Sequence, residues 1–356
     1  MPARADVCIL VVTYEHEDEI GACLDGAIAQ RADDLTVEIV IADNASSDAT
    51  VAQVSAHADG DEVELIATGS NIGFAAAVNL AFAACSGEHV LILNPDCVMD
   101  PGCARALRDH LRARADVGLA AALLHDPDGT PQLHARRDAG LAGAAWAFTG
   151  AGRWIDARLR GGRALAERRY EDLWAGGPPR EPIAVFCPAA ACVMAARADL
   201  QPAPFDERLP LFFNDADLCA RLLARGRRIE IVPAATAAHG YGTSVTRAQR
   251  ADPARMRAEW VASLRRYTAK RWRRPQRAGL VALLFADAVA GAALCLVRRG
   301  DPREVRGTLG GLGLPGGPPP LLTPQVRRGS VPRGRAGAEP PPARPPADAP
   351  PDSRRP

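Results

Sequence analysis

The chain has 356 residues, of which 47% are apolar and 24% charged, with a formal net charge of +1. That length allows one large domain or two modest ones with an ample core, and the composition is ordinary for a folded soluble protein. The near-neutral charge argues against a protein devoted to binding nucleic acid.

The opening residues alternate strand-like and helix-like patterns. Residues 7–12 (VCILVV) form a short continuous apolar run, as in a strand buried on both faces. The run begins right after Asp6, which reads as mature strand rather than leader, so a cytoplasmic location is expected. Ile20, Cys23, Leu24, Ala27 and Ile28 follow at helical spacing. A second strand is expected over residues 37–41, ending at Asp43-Asn44, and Ser46, Ser47 and Asp48 offer caps for a helix reaching about His57. A third strand is expected over residues 63–66. Asn71-Ile-Gly73-Phe74 then leads into an alanine-rich helix through Cys85. A fourth strand, residues 89–93, ends at Asn94-Pro95-Asp96, and Asp100-Pro101 reads as the cap and first turn of the next helix.

Such alternation implies an α/β fold with a doubly wound, mostly parallel sheet. Ligands bind beyond the carboxyl ends of the strands in sheets of this kind. Residues 136–181, with Trp146, Trp154 and Trp174, read as an insertion beside the sheet. Order resumes over residues 183–194. Asn214-Asp215-Ala-Asp217 then opens a helix in which Leu218, Leu222 and Leu223 share a face, with Gly226 as its stop. A further strand is expected over residues 229–233, and His239 to Ser244 reads as a glycine-rich loop.

Residues 278–297 are almost wholly apolar and are flanked by Arg271, Arg273, Arg274, Arg277, Arg298 and Arg299. The length suffices to span a bilayer, but Asp287 falls near the middle. Three readings stay open: a span, a helix lying on the membrane surface, and a helix packed on the protein. From about Gly310 the chain is rich in Pro, Gly and Arg and reads as a disordered tail. Gly311-Leu-Gly313-Leu-Pro-Gly316 spells a dinucleotide fingerprint, but no strand precedes it and Pro315 stands where a helix should start, so it is discarded. Nine scattered cysteines without a C-x-x-C pair read as buried thiols in a reducing compartment. Lys270 is the only lysine.

The acids at the strand ends carry the chemistry. Asp43 could accept the imide proton of a pyrimidine base, and Asp96 could ligate Mg²⁺ or Mn²⁺, which prefer carboxylate oxygen. A carboxylate in the first turn of the later helix can deprotonate a hydroxyl, and His239 can ligate a metal. Taken singly, each is an ordinary turn, cap or helix-dipole residue. Taken in order, the set is more specific: Val11-Val-Thr13-Tyr14, Ile41-Ala-Asp43-Asn44-Ala-Ser46-Ser47-Asp48, Asn71-Ile-Gly73-Phe74 with Asn79, Leu93-Asn94-Pro95-Asp96, Phe205-Asp206-Glu207-Arg208, Asn214-Asp215-Ala-Asp217-Leu218 and His239-x-x-Gly242-x-Ser244. Over residues 5–270 this resembles the family-2 inverting glycosyltransferases of the GT-A fold, especially bacterial rhamnosyltransferase-like members.

The resemblance implies a GT-A sheet followed by C-terminal helices and a site with assigned parts. Thr13, Tyr14 and Asp43 would line the nucleoside pocket, and Asn71 and Gly73 would shape the loop near ribose and diphosphate. Asn94 and Asp96 occupy the D-x-D position, with Asp96 the metal ligand and His239 completing the metal site. Asp215 would be the general base, braced by Asp217. Asn214 stands where relatives carry Glu, and Ala203-Pro204 where they carry Gly-Gly; these departures bear on the acceptor side. The implied partners are a nucleotide-sugar donor, with rhamnose the best-matched sugar, and a glycan or lipid-linked acceptor; no nucleic acid is implied. The implied cofactor is Mg²⁺ or Mn²⁺. The expected organisation is a catalytic domain over residues 1–270, a basic and apolar helical segment over 271–309 that could bring the enzyme to the inner face of the cell membrane, and a tail over 310–356. The competing reading is a catalytically silent nucleotide-sugar-binding scaffold, for which Asn94 and Asn214 leave room. A Rossmann oxidoreductase is disfavoured because the turn after the first strand has no glycine fingerprint.

Overall fold

The computed structural model describes residues 5–58, 63–132, 135–136, 177–240, 252–296 and 300–319. The three tryptophans of the expected insertion, Gly242, Ser244 and the tail beyond residue 319 lie outside these.

The first half alternates as the pattern predicts: β1 (Val7–Thr13), α1 (Ile20–Ile28), β2 (Val37–Asp43), α2 (Thr50–Ala58), β3 (Val63–Ala67), α3 (Phe74–Ala84) and β4 (His89–Leu93). Strands β3, β2, β1 and β4 lie side by side in that order, all parallel. Successive β1 side chains point to opposite faces, and each face has its own core. Val7, Ile9 and Val11 pack with Leu24 of α1 and with Leu107. Cys8, Leu10 and Val12 pack with Val78 and Phe82 of α3 and with Leu218 and Leu222.

The second half widens the sheet. It comprises β5 (Cys97–Met99), α4 (Cys103–Ala113), β6 (Val117–His125), β7 (Ala135–Arg136), β8 (Ile183–Ala184), β9 (Cys187–Pro188), β10 (Cys192–Ala196), α5 (Arg197–Leu200), α6 (Asn214–Ala224) and β11 (Arg228–His239). The sheet continues from β4 through β10, β6 and β11 to β5. β10 runs antiparallel between β4 and β6, and β5 and β8 run antiparallel to β11. Three helices follow: α7 (Pro253–Arg271), α8 (Arg274–Leu296) and α9 (Pro302–Leu312).

Several expectations change on contact with the structure. Asp100 does not cap α4: its Oδ2 accepts from Thr236 Oγ1 at 2.5 Å and lies 3.0 Å from His125 Nε2, while Gly102, with φ +80°, stands before the helix. The strand expected over 229–233 runs on to His239, so that histidine ends β11 rather than sitting in a loop. β6 was not anticipated, because its alanine-rich run lacks the β-branched residues that mark a strand. Residues 310–312, expected to open the tail, instead end α9, and Leu312 is buried.

Two glycines of α9, Gly307 and the first glycine of the discarded fingerprint, have a packing role. A Cβ on Gly307 would lie 2.5 Å from Arg257 Cβ, and one on Gly311 would lie 2.5 Å from Val261 Cβ. They let α9 lie against α7 at close range. Gly313, with φ +74°, ends α9.

Candidate functional site

β1 and β2 stop together, with Thr13 opposite Asp43 in the register. Asp43 is 2% exposed and its charge is met by local donors. Thr13 Oγ1 donates to Asp43 Oδ1 at 2.8 Å, Ser46 Oγ donates to the same oxygen at 2.6 Å, and the Ser46 amide donates to Oδ2 at 2.9 Å. The backbone around this point is unusual: Glu15 and Ala45 both take positive φ, near +58° and +64°. Such conformations cost energy for residues with a Cβ and gather at binding sites. Tyr14 projects outward from the end of β1 and is 43% exposed.

The loop before α3 is tied to the same strand end. Asn44 Oδ1 accepts from the Ile72 amide at 3.2 Å, and Asn71 Oδ1 accepts from the Gly73 amide at 3.1 Å. Gly73 has φ +88° and ψ +157°, a region reserved for glycine, and it turns the chain into α3. Thr13, Asp43, Asn71 and Gly73 are therefore brought together, with Asn44 as the bridge.

The second cluster lies one strand away. β4 ends at Leu93, Asn94 is held by its amide donating to the Ala191 carbonyl at 2.8 Å, and Asp96 follows. β5 then pairs antiparallel with the end of β11, so His239 lies opposite Cys97. This pairing carries His239 back to Asp96. Its Nε2 lies 3.5 Å from Asp96 Oδ1, and the Gly240 amide donates to the Asp96 carbonyl at 2.9 Å. Both side chains are almost fully buried.

Gln132 fixes the histidine ring. Its amide nitrogen donates to the His239 carbonyl and to Asp126 Oδ1, both at 2.7 Å, which leaves its oxygen to face His239 Nδ1 at 3.1 Å. The Nδ1 atom must then carry the proton, and Nε2 turns toward Asp96. A buried carboxylate beside an imidazole whose far nitrogen is anchored suits a divalent cation. Burial and the Asp96 charge together push the nearby Cys23 thiol well above its ordinary range, so it stays protonated. Gln132 carried no sequence signal, because it lies in an irregular stretch far from His239 in the chain.

The third cluster opens α6. Phe213 precedes the helix in the left-handed region, with φ +65°. Its ring stacks on Tyr267 and packs against Trp260, with centroids 5.6 and 5.5 Å away, and these contacts offset the backbone strain. Asn214 Oδ1 accepts from the Asp215 amide at 2.7 Å, and Asn214 Nδ2 donates to the Leu211 carbonyl at 3.1 Å. Asp215 lies in the first turn, partly exposed, with Oδ1 accepting from the Ala216 amide at 2.7 Å.

Asp217 is fully buried among cations. Lys270 Nζ is 2.6 Å from its Oδ1, Arg271 is 3.6 Å from the same oxygen, and Arg221 is 3.2 Å from Oδ2. Lys270 also donates to Asp206 Oδ2 at 2.8 Å. The only lysine in the chain thus joins the acids of two motifs to α7. Burial pushes Asp206 up, but its bonds to Arg208 and Lys270 outweigh this and hold it well below the usual carboxylate range.

Two links tie this third cluster to α3, which follows the first. Asn79 of α3 clamps Phe205, accepting from its amide at 3.0 Å and donating to its carbonyl at 2.9 Å. The Ala75 amide donates to the Pro210 carbonyl at 3.1 Å. Among the described residues, Cys8, Glu38 and Cys85 also form a compact group of ligand-type side chains. They sit where the strands begin rather than end, and Arg197 already places a guanidinium nitrogen 2.9 Å from Cys85 Sγ.

Residues 8–163 match the family model described as Glycosyl transferase family 2. N-acetylglucosaminyl-diphospho-decaprenol L-rhamnosyltransferase of Mycobacterium tuberculosis (strain CDC 1551 / Oshkosh) is 29% identical over 291 residues, which cover 76% of this chain and 87% of that protein. Succinoglycan biosynthesis protein ExoO of Rhizobium meliloti (strain 1021) is 36% identical over 96 residues, 27% of each chain. The solved structure of GalNAc-T7 with UDP, GalNAc and Mn²⁺ shares the fold, with a TM-score of 0.54 at 13% identity over 88% of this chain and 55% of that one.

A mostly parallel sheet with its acids gathered at the strand ends defines a nucleotide-sugar-dependent glycosyltransferase of the GT-A fold. More narrowly, the chain is similar to the family-2 glycosyltransferases over residues 8–163 and to a rhamnosyltransferase over 76% of its length.

Proposed function

We propose that the protein moves a sugar, with rhamnose the best match, from a nucleotide donor to a hydroxyl of a lipid-linked or cell-envelope glycan, inverting the anomeric centre. The observation that carries the metal-assisted form of this reading is the facing pair Asp96 and His239, with the ring aimed by Gln132. That donor set fits Mg²⁺ or Mn²⁺. When bound, such an ion offsets negative charge on the diphosphate leaving group.

The chain's own residues supply the rest. Thr13, Tyr14 and Asp43 form the nucleoside pocket, with Asp43 already oriented by Thr13 and Ser46. Asn71, Gly73 and Asn94 shape the wall along the ribose and diphosphate. Asp215 takes the proton of the acceptor hydroxyl as its oxygen bonds to the anomeric carbon and the bond to the diphosphate breaks. Asn214 holds the Asp215 amide, and Asp217 pins the first turn of α6 from below. The sugar and the acceptor are supported by the names of the mycobacterial relatives, and the metal by the Mn²⁺ in the GalNAc-T7 structure. The reaction takes place on the cytoplasmic side of the membrane.

The test is release and transfer with a panel of nucleotide sugars, with Mg²⁺, with Mn²⁺ and with EDTA, for the natural chain and Asp215→Asn. Turnover of one donor that needs metal and drops about 10²–10⁴-fold in the variant supports the reading. Donor binding without turnover, even with a lipid-linked acceptor, would overturn it in favour of a silent scaffold.

A further inference from the structure

α8 is the one described helix long and apolar enough to cross a membrane: Arg274–Cys295 holds an 18-residue window with a mean hydropathy of 2.1. Its two faces differ. Leu280, Leu284 and Ala288 are buried, and the two leucines join Val261 and Leu264 of α7 and Leu312 of α9 in a small core of their own. The opposite stripe is exposed. Ala278, Val281, Ala282, Phe285, Ala286, Val289, Ala290, Ala293 and Leu294 repeat at helical spacing, and every one is apolar. Phe285 is 48% exposed and Val289 54%. The stripe runs along about 24 Å of helix. Monomeric soluble proteins rarely leave so long an apolar strip in water.

The neighbours of α8 argue against a span. α9 returns along it so closely that a Cβ on Gly291 would lie 2.9 Å from Val305, and α9 exposes Arg303, Glu304 and Arg306. A spanning α8 would carry those charges into hydrocarbon, at a cost of roughly 2.5–3.5 kcal/mol each near the centre. Lying flat needs no such burial. At the start of α8, Arg273, Arg274 and Arg277 are exposed, and Arg303 and Arg306 are exposed toward its other end, where Val305 meets Gly291. An apolar stripe bordered by arginines complements acyl chains under a layer of anionic headgroups.

We propose that α8 docks the enzyme flat on an anionic bilayer surface, with its Val281–Phe285–Val289 stripe in the acyl boundary and its arginines on lipid phosphates. The observation stands without the proposed lipid-linked acceptor; that reading only gives the docking a purpose.

The experiment is co-sedimentation of the full chain with vesicles of pure phosphatidylcholine and of equal parts phosphatidylcholine and phosphatidylglycerol, all free of acceptor. Binding should favour the anionic vesicles, weaken with salt and be released by alkaline carbonate. Arg273→Glu with Arg274→Glu and Arg277→Glu should lower affinity by at least about 100-fold, at about 1 kcal/mol for each arginine. Val281→Ser with Phe285→Ser and Val289→Ser should lower it at least about tenfold. Donor hydrolysis by both variants should be unchanged, which shows them folded and separates a failure of docking from a failure of the glycosyltransferase reading. Three results would overturn the proposal: no binding to either vesicle, retention through carbonate as for a span, or a stable dimer in solution that the serine variant dissolves.

Discussion

Asp43 and Asp217 are both buried acids beside the same site, yet their charges are met in different ways. Around Asp43 the donors are two hydroxyls and an amide, from Thr13 and Ser46. Around Asp217 they are three cations, two of them on α7, more than 50 residues away. The Asp43 cluster is therefore a product of the strand ends themselves, while the Asp217 cluster is assembled by a helix that follows the sheet. The same division shows in the packing. Phe213, at the head of α6, leans on the small core of α7 and α8 rather than on the two cores of the sheet. The C-terminal helices are part of what sets the first turn of α6.

The largest test of this contrast is deletion of each acid. Asp217→Ala leaves three partly buried cations without their shared counter-charge and should lower stability by up to about 3–5 kcal/mol. Asp43→Ala leaves hydroxyl and amide donors unsatisfied and should cost about 1–3 kcal/mol. Denaturant melts of the two variants would measure both, and equal losses would break the comparison. A double variant, Asp217→Leu with Lys270→Met, should lose less than the sum of its parts, because the two groups act as a pair.

A smaller effect is expected at Gln132. Gln132→Leu removes the anchor on His239 Nδ1 and should weaken metal affinity about 10–100-fold. Titration with Mn²⁺ by calorimetry would read it, and unchanged affinity would show that the strand pairing alone aims the ring. Smaller again, Gly73→Ala forces a Cβ into a backbone region kept for glycine, at about 1–2 kcal/mol. It should raise the donor KM and leave the acceptor KM unchanged.

The smallest effect is in acid. Asp206 is held below its usual range in the folded state, so its stabilisation is full above the unfolded value of about 3.9 and fades as the pH falls toward the lower folded value. Asp206→Asn should therefore lower stability at neutral pH, where that contribution is full, and flatten the acid limb below about pH 4. Asp6, lowered to about 2 first by the Thr36 amide and further by Arg112, adds to the same limb.

The strand-end clusters were legible in the sequence because their parts are local. Apolar runs ended at Asp43 and Asp96, and strand ends are where such folds bind ligands. The pairing of Asp96 with His239 was implied by resemblance, but its cause was hidden, since His239 is delivered by an alanine-rich strand end that reads as loop. Gln132 and Lys270 escaped for a related reason. Each acts across more than 50 residues of sequence on partners that only the folded sheet and helices bring near. Asp100 misled in the other direction: an Asp-Pro step looks like a helix start, and here its side chain binds Thr236 on β11 instead.

The single lysine makes this junction chemically addressable. Lys270 keeps its ammonium 2.6 Å from Asp217 and 2.8 Å from Asp206, with its side chain 27% exposed. An amine-directed reagent given to the intact protein therefore meets one side chain and the chain's own amino terminus. Reductive methylation with labelled formaldehyde would install one spectroscopic reporter at the seam between sheet and helices, whose signal shifts whenever α7 moves away from α6.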